Sequence, residues 1–230
     1  MNKKSDTNYK NVKSKLKTAK GRKISSTRWL NRQLNDIYVN KAKSQGYVSR
    51  AAYKLIEIDE KFNIFNNAEV VVDLGAAPGS WTQIVIERCK KLKKIVAVDL
   101  LEMSNLVNYP DLITITGSFQ DVEVVEQLKN KLDDTLVDVV ISDLAPNTIG
   151  HKQTDHLRII ALVEDALYFA ITNLKPGGNF IAKFLMGGAQ GELQSTLKNN
   201  FHTVKFFKPK SSRRESNEMY IIALGFKETL

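Results

Sequence analysis

The 230-residue sequence has a single cysteine, Cys89, so no intrachain disulfide can form, and this fits a reducing cytoplasm. It has no apolar run approaching the roughly 18–20 residues that span a bilayer, which argues against a membrane protein. Its basic N-terminus lacks the apolar stretch of a secretory signal, although the Lys- and Ser-rich, acid-poor composition leaves an organelle transit peptide open. Acids are scarce at the start. Residues 1–50 hold 14 Lys or Arg against two acids, Asp6 and Asp36, a surplus of 12 positive charges. The other 180 residues hold 20 basic and 23 acidic side chains, so the net charge of +9 comes entirely from the N-terminal segment. Such an asymmetry is the electrostatic footprint of a nucleic-acid partner, and Trp29, Tyr38 and Tyr47 interleave with the charges where they could stack on bases. The bland alternative is a solvated tail.

Residues 1–25 read as a disordered basic arm, because "KNVKSKLKTAKGRK" has few apolar residues and repels itself. Residues 26–230 read as one folded domain. A helix over "SRAAYKLIEIDEKFNIF" places Ala52, Leu55, Ile56 and Ile58 or Asp59 on one face, with Ser49 as its expected cap. Strands are then expected at 69–74, 94–101, 112–117, 137–144, 179–185, 203–208 and 219–226. Helices are expected at 81–92, 122–132, 159–174 (stopped by "KPGG") and over "LQSTLKNNF". Alternation of this kind predicts an α/β fold, a seven-stranded, mainly parallel sheet with helices on both faces. The last two strands are close enough in sequence to form an antiparallel pair at one edge.

The stretch "VVVDLGAAPGSW" lies where the first strand turns into a helix, the place where open α/β sheets bind ligands. Gly75 and Gly79 remove side chains where a ligand must approach backbone, and Pro78 stiffens the turn. A triphosphate loop would need Gly-Lys-Ser/Thr, and the sequence has Gly79-Ser80-Trp81. A dinucleotide loop would need a third glycine, and Trp81 crowds the pyrophosphate position. Asp73 would repel phosphate and welcome an ammonium, and Asp99 ends the second strand where an acid can hold ribose hydroxyls. An adenosine without phosphate, carrying an amino or cationic end, fits; S-adenosylmethionine is such a molecule. A purely structural tight turn is the competing reading.

Four polar residues do not suit a core. Lys183 sits inside the apolar strand "NFIAKFL", where lysine is rarely buried without a partner; an edge strand with the amine reaching outward is the alternative. Asp143 ends the fourth strand, Glu218 precedes the last and Lys54 lies on the helix before the first. All four could meet at one end of the sheet. His151 and His156 lack a Cys partner, and Asp155 does not complete a metal site, so no metal is expected.

The segments "SRAAYKL", "VVDLGAAPGSW", "AVDLL", "SDLAPN", "IAKFL" and "SSRRESNEMYIIALG" occur in the order and spacing of a known family. From about Trp29 to Phe226 the chain resembles the FtsJ-type 2′-O-ribose methyltransferases of large-subunit ribosomal RNA. The resemblance implies a Rossmann-like, S-adenosylmethionine-dependent enzyme that methylates a uridine ribose, with the 50S particle as partner and a monomer as the acting form. It implies a catalytic set on Lys54, Asp143, Lys183 and Glu218. Cofactor contacts would fall on Gly75, Gly79, Trp81, Asp99, Asp143 and the position of Ser118, with Phe119 packing on the adenine ring. The family pattern has an acid where "GSF" places Ser118, and serine cannot supply an anionic acceptor.

A ribose 2′-OH is a poor nucleophile until it loses its proton, so Lys183 is expected as base or hydrogen-bond orienter and Lys54 as stabiliser of the alkoxide. Desolvation and Lys54 would favour a neutral Lys183 amine, whereas Asp143 and Glu218 would favour a charged one. Arg213 and Arg214 in "SSRRES" are expected on RNA phosphates, and residues 147–158 as a lip over the substrate. The main rival is a non-catalytic RNA-binding ribosome assembly factor, against which the presence of all four polar residues argues. A nicotinamide-dependent oxidoreductase lacks its third glycine and its Tyr-x-x-x-Lys pair here.

Overall fold

A computed structural model describes residues 21, 23–103, 109–146, 150–186 and 191–228. The expected arm over 1–25 falls almost wholly outside them. So do residues 147–149 of the expected lip and the side chain of Trp29.

Three helices come first: α1 (Ile24–Leu34), α2 (Ile37–Gln45) and α3 (Ala52–Phe62). Asp36 caps α2, its carboxylate accepting from the N–H of Tyr38 and Val39. The third helix buries Ala52, Leu55, Ile56 and Ile58. Asp59 turns outward to Arg88 at 3.0 Å instead. Ser49 does not cap α3. Its hydroxyl accepts from Ala51 N–H, one residue short of the helix, and meets the Ser80 hydroxyl at 2.7 Å.

The remaining elements are β1 (Val70–Leu74), α4 (Ser80–Arg88), β2 (Lys94–Asp99), β3 (Leu112–Thr116), α5 (Val122–Leu132), β4 (Val137–Ser142), α6 (Lys152–Asn173), β5 (Leu174–Leu185), α7 (Gly191–Asn200), β6 (Phe201–Phe207) and β7 (Glu218–Phe226). The seven strands lie in the order β3-β2-β1-β4-β5-β7-β6. β7 runs antiparallel to both β5 and β6, and the other pairs are parallel. The alternation expected from the sequence is therefore present, with β6 at the edge and β7 inserted inside it.

Strand parity sorts the core into two layers. Val70, Val72 and Leu74 face a cluster with α5, α6 and α7. Val71, Ile95, Val139, Ile141, Ile181, Tyr220 and Ile222 face the other way, onto α3 and α4. Several boundaries differ from expectation, three of them with a clear cause or consequence. β2 stops at Asp99 because its carboxylate accepts from Ala77 N–H and Leu101 N–H, both at 2.9 Å, and turns the chain outward. α6 begins at Lys152, so residues 152–158 form its first turns; they are not a loop over the site. His151 is the cap of that helix, its ring accepting from Thr154 N–H. β5 begins at Leu174, which pairs with Val137 before a bulge resumes the ladder at Asn179. Among the described residues no helix is long and apolar enough to cross a membrane.

At the end of the sheet away from these loops, Asp138 is 6% exposed. Its carboxylate accepts from Glu69 N–H at 3.0 Å and Val70 N–H at 2.9 Å, and pairs with Lys175. Removing it strands buried donors, each costing about 1–3 kcal/mol. Asp138→Ala is therefore expected to lower stability by about 3 kcal/mol in urea unfolding, and Asp138→Asn, which keeps an acceptor, by clearly less. Equal losses for the two variants would show that charge, not acceptance, fixes the start of β1.

Candidate active site

The strand order reverses between β1 and β4, and their loops open a crevice at the carboxyl ends. Gly75 N–H and Ala76 N–H both donate to Val98 O. Gly75 has φ +78°, and a Cβ there would lie 2.8 Å from Leu144 N. Its missing side chain thus makes room for the loop after β4. Gly79, at φ +105°, caps α4 in the left-handed region. Trp81 is 2% exposed; its indole N–H donates to Ala51 O at 3.1 Å and its ring tilts against Tyr220. Ser118 Oγ accepts from Gln120 N–H, and Phe119 packs edge-on against Phe169 with centroids 5.7 Å apart.

The four polar residues converge. Lys183 lies in β5, flanked by β4 and β7, so the edge-strand alternative fails. Its amine, with only 11% of the side chain exposed, sits 3.1 Å from Asp143 Oδ1 and donates to the Asp143 carbonyl at 2.5 Å. Lys54, reaching down from α3, pairs with Glu218 Oε2 at 2.7 Å. Register explains the meeting: Ala182 pairs with Ser142, Lys183 with Tyr220 and Leu185 with Glu218. Residues 218 and 220 therefore share the face that α3 covers.

Tyr220 joins the two pairs, and sequence reasoning missed it. The side chain is fully buried and its hydroxyl donates to Asp143 Oδ1 at 3.0 Å. Lys54 Nζ stands 5.7 Å from the ring centre. Burial, with the Asp143 and Glu218 carboxylates beside it, pushes its phenol well above the ordinary tyrosine value. The available signal was its place two residues after Glu218 in a strand, which puts both on one face.

Asp73 occupies the same face of β1. Thr82 on α4 donates to its Oδ2 at 2.6 Å, while Oδ1 is buried without a hydrogen-bond partner. Burial pushes this carboxyl up to about 7. An acceptor left open beneath the glycine loop fits a ligand with an amino group. Among the described residues no three His, Cys, Asp or Glu side chains gather as a metal ion would need. Burial also pushes the Cys89 thiol up to about 11, and its S–H donates to Ala68 O, which makes it an inert packing group.

The expected RNA contacts divide. Arg214 is exposed, but Arg213 turns inward, its Nε 3.9 Å from Asp36. Tyr38 and Tyr47, both half-buried, pack on Tyr53, and the Tyr47 hydroxyl donates to Glu87.

The model of one family, the FtsJ-like methyltransferases, matches residues 47–226. The chain belongs to the FtsJ-like methyltransferase family. It is an enzyme, and its sheet is the Rossmann-like methyltransferase fold. It is 52% identical over 219 residues to ribosomal RNA large subunit methyltransferase E of Novosphingobium aromaticivorans, covering 95% of this chain and 96% of that one. The protein of the same name from Rickettsia bellii is 49% identical over 228 residues, covering 95% and 97%. A solved Plasmodium falciparum structure, provisionally described as a ribosomal RNA methyltransferase, is 34% identical with a TM-score of 0.69, covering 80% of this chain and all of that one.

The raised Asp73 carboxyl gives a signed pH effect. Between about pH 4 and pH 7 the folded protein holds a proton that the unfolded chain has released. The stabilisation is complete below pH 4 and is lost as pH rises through about 7. The stability of the wild type relative to Asp73→Asn is therefore expected to fall from pH 5 to pH 8 and then level off, measured by urea unfolding across that range. A difference independent of pH would mean that Asp73 ionises normally.

Proposed function

We propose that this enzyme transfers a methyl group from S-adenosylmethionine to the 2′ oxygen of a uridine ribose in large-subunit ribosomal RNA, acting on the 50S particle as a cytoplasmic monomer. The observation that carries this reading is the convergence of Lys54, Asp143, Lys183 and Glu218, in two ion pairs joined by Tyr220, beside the glycine loop. The near-full-length likeness to methyltransferases of large-subunit ribosomal RNA supports the substrate.

The residues present fit the donor. Asp73 Oδ1 is a buried acceptor without a partner near the end of β1, Trp81 places its backbone N–H in the first turn of α4, which Gly79 caps, and Asp99 and Asp143 lie at the ends of β2 and β4, the two strands that flank β1. When bound, the donor supplies a methyl group already activated by a positive sulfur. What remains for the protein is to align the ribose and manage one proton. Lys183 is the group that meets the 2′-OH. Asp143 engages it twice, through Oδ1 and the carbonyl, so a neutral amine spends both N–H groups there and turns its lone pair to the hydroxyl, whose proton it takes. Tyr220 holds the Asp143 carboxylate in place. Lys54, oriented by Glu218, offsets negative charge developing on the oxygen. Ser212 in turn donates to Glu218 Oε1 at 2.8 Å, and Arg214 offers an exposed cation to phosphates.

Lys183→Ala is expected to lower single-turnover methylation of undermethylated 50S particles by at least about 10²-fold, the lower bound for general acid–base help, with donor binding nearly intact. Lys183→Arg is expected to be similarly poor, since a planar, permanently charged fork cannot replace a small amine. Near-normal transfer by the alanine variant would remove Lys183 from the reaction.

Ser118 supports a second test. If it stands at the adenine, Ser118→Asp is expected to tighten donor binding in calorimetric titration, because a hydrogen bond to a charged group contributes about 1.5–3 kcal/mol. Equal or weaker binding would show that the pocket is built around serine.

A further inference from the structure

Between α2 and α3 the chain is fixed to α4 by a series of bonds. Gln83 donates to Gly46 O at 2.9 Å and accepts from Val48 N–H at 3.1 Å. Tyr47 reaches Glu87, Ser49 meets Ser80, and Trp81 donates to Ala51 O. From the middle of this anchored segment, Arg50 extends in the opposite direction.

Its guanidinium bonds Asp36 Oδ2 through one terminal nitrogen and the Ser211 carbonyl through the other. It lies 5.8 Å from the Tyr38 ring centre, and only 15% of the side chain is exposed. Asp36 is the acid that starts α2, and it also faces Arg213. It is the sole acid between residues 7 and 50. Ser211 belongs to the loop that leads into Glu218. That loop is held in addition by the Glu57 carboxylate, which accepts from Lys210 N–H and Ser211 N–H. Lys208 closes it by donating to Arg214 O and Ser216 O.

We propose that Arg50 is a positioning residue for the RNA substrate: through Asp36 and the Ser211 carbonyl it locks the N-terminal helices and the loop before Glu218 into one RNA-facing surface. This rests on the reading of Lys54, Asp143, Lys183 and Glu218 as the reaction centre. Arg50 is no phosphate ligand, since both terminal nitrogens are engaged and the group is largely buried. Its work is geometric. The basic N-terminal segment captures RNA by charge, whereas the 2′-OH must arrive within hydrogen-bond reach of Lys183. The two tasks sit on segments far apart in sequence, and Arg50 joins them. Two guanidiniums around one carboxylate also make Asp36 indispensable, because without it Arg50 and Arg213 repel.

The test uses the full chain and undermethylated 50S particles. Arg50→Lys keeps the charge but can satisfy only one of the two acceptors in the same geometry. It is expected to raise the KM for particles about tenfold, with kcat within about threefold of wild type and donor affinity unchanged. Saturating RNA restores alignment by its own contacts on both segments. Arg50→Met is expected to do more in the same direction. Asp36→Asn, which leaves the Ser211 bond in place, is expected to raise KM less than Arg50→Met, and the double variant to lose less than the sum of the two, since they share one interaction. Additive losses, an unchanged KM, or a fall in kcat or donor affinity would overturn the proposal. If Arg50→Met does not fold, Arg50→Lys decides alone. Lys183→Ala is assayed alongside: normal transfer by it would defeat the reaction-centre reading, while the KM of the Arg50 variants still reports on the latch.

Discussion

Much of this protein's architecture serves one contact, the Lys183 amine against Asp143. Burying an ion pair costs several kcal/mol per ion in desolvation, which only good geometry and additional hydrogen bonds offset. Here the geometry is supplied by the backbone. Asp143 is fixed at the end of β4, where its N–H donates to Leu74 O, and Lys183 is fixed one step past the Ala182–Ser142 pairing. The additional bonds come from the Asp143 carbonyl and the Tyr220 hydroxyl. The second pair, Lys54 with Glu218, closes the same face from α3. A site assembled this way is preorganised: the cost of holding charged groups together is met at folding, before RNA arrives.

The same contact explains which parts of the fold were legible in advance. Alternating apolar runs and breakers such as "KPGG" specify strands and helices by local rules, and the sheet followed from them. Lys183, Asp143, Glu218 and Lys54 stood out because charge in apolar surroundings is anomalous in any reading. Tyr220 did not stand out, because a tyrosine in a strand is ordinary and only register reveals that its hydroxyl meets a carboxylate. The boundaries that shifted have side-chain causes that periodicity does not encode. Asp99 ends β2 by bonding the glycine loop, and His151 starts α6 seven residues before the apolar pattern does.

Residues chosen for ligand contact proved to have structural duties as well. Gly75 is small because Leu144 crosses it. Trp81 is large because the space between α3 and α4 must be filled, and Tyr38 and Tyr47 clamp Tyr53. Arg213 is drawn to Asp36, which leaves Arg214 as the outward cation of "SSRRES". From sequence alone, an aromatic or basic residue near a site has two possible partners, a ligand or a neighbouring element. The packing of α2 and α3 against α4 shows the second of these for Trp81, Tyr38 and Tyr47.

The insertion of β7 between β5 and β6 bears on how the enzyme comes into being. Glu218 and Tyr220 lie on this last strand, which is hydrogen-bonded on both sides. As the chain is synthesised, β5 has no partner on that flank until residues 218–226 emerge. An unpaired flank of this kind is prone to association with other strands. Neither ion pair has its full set of partners until β7 docks, so the proposed reaction centre and the closed sheet are completed in the same step. A nascent or prematurely ended copy lacks Glu218 and Tyr220 together, and with them both the closed sheet and the proposed reaction centre.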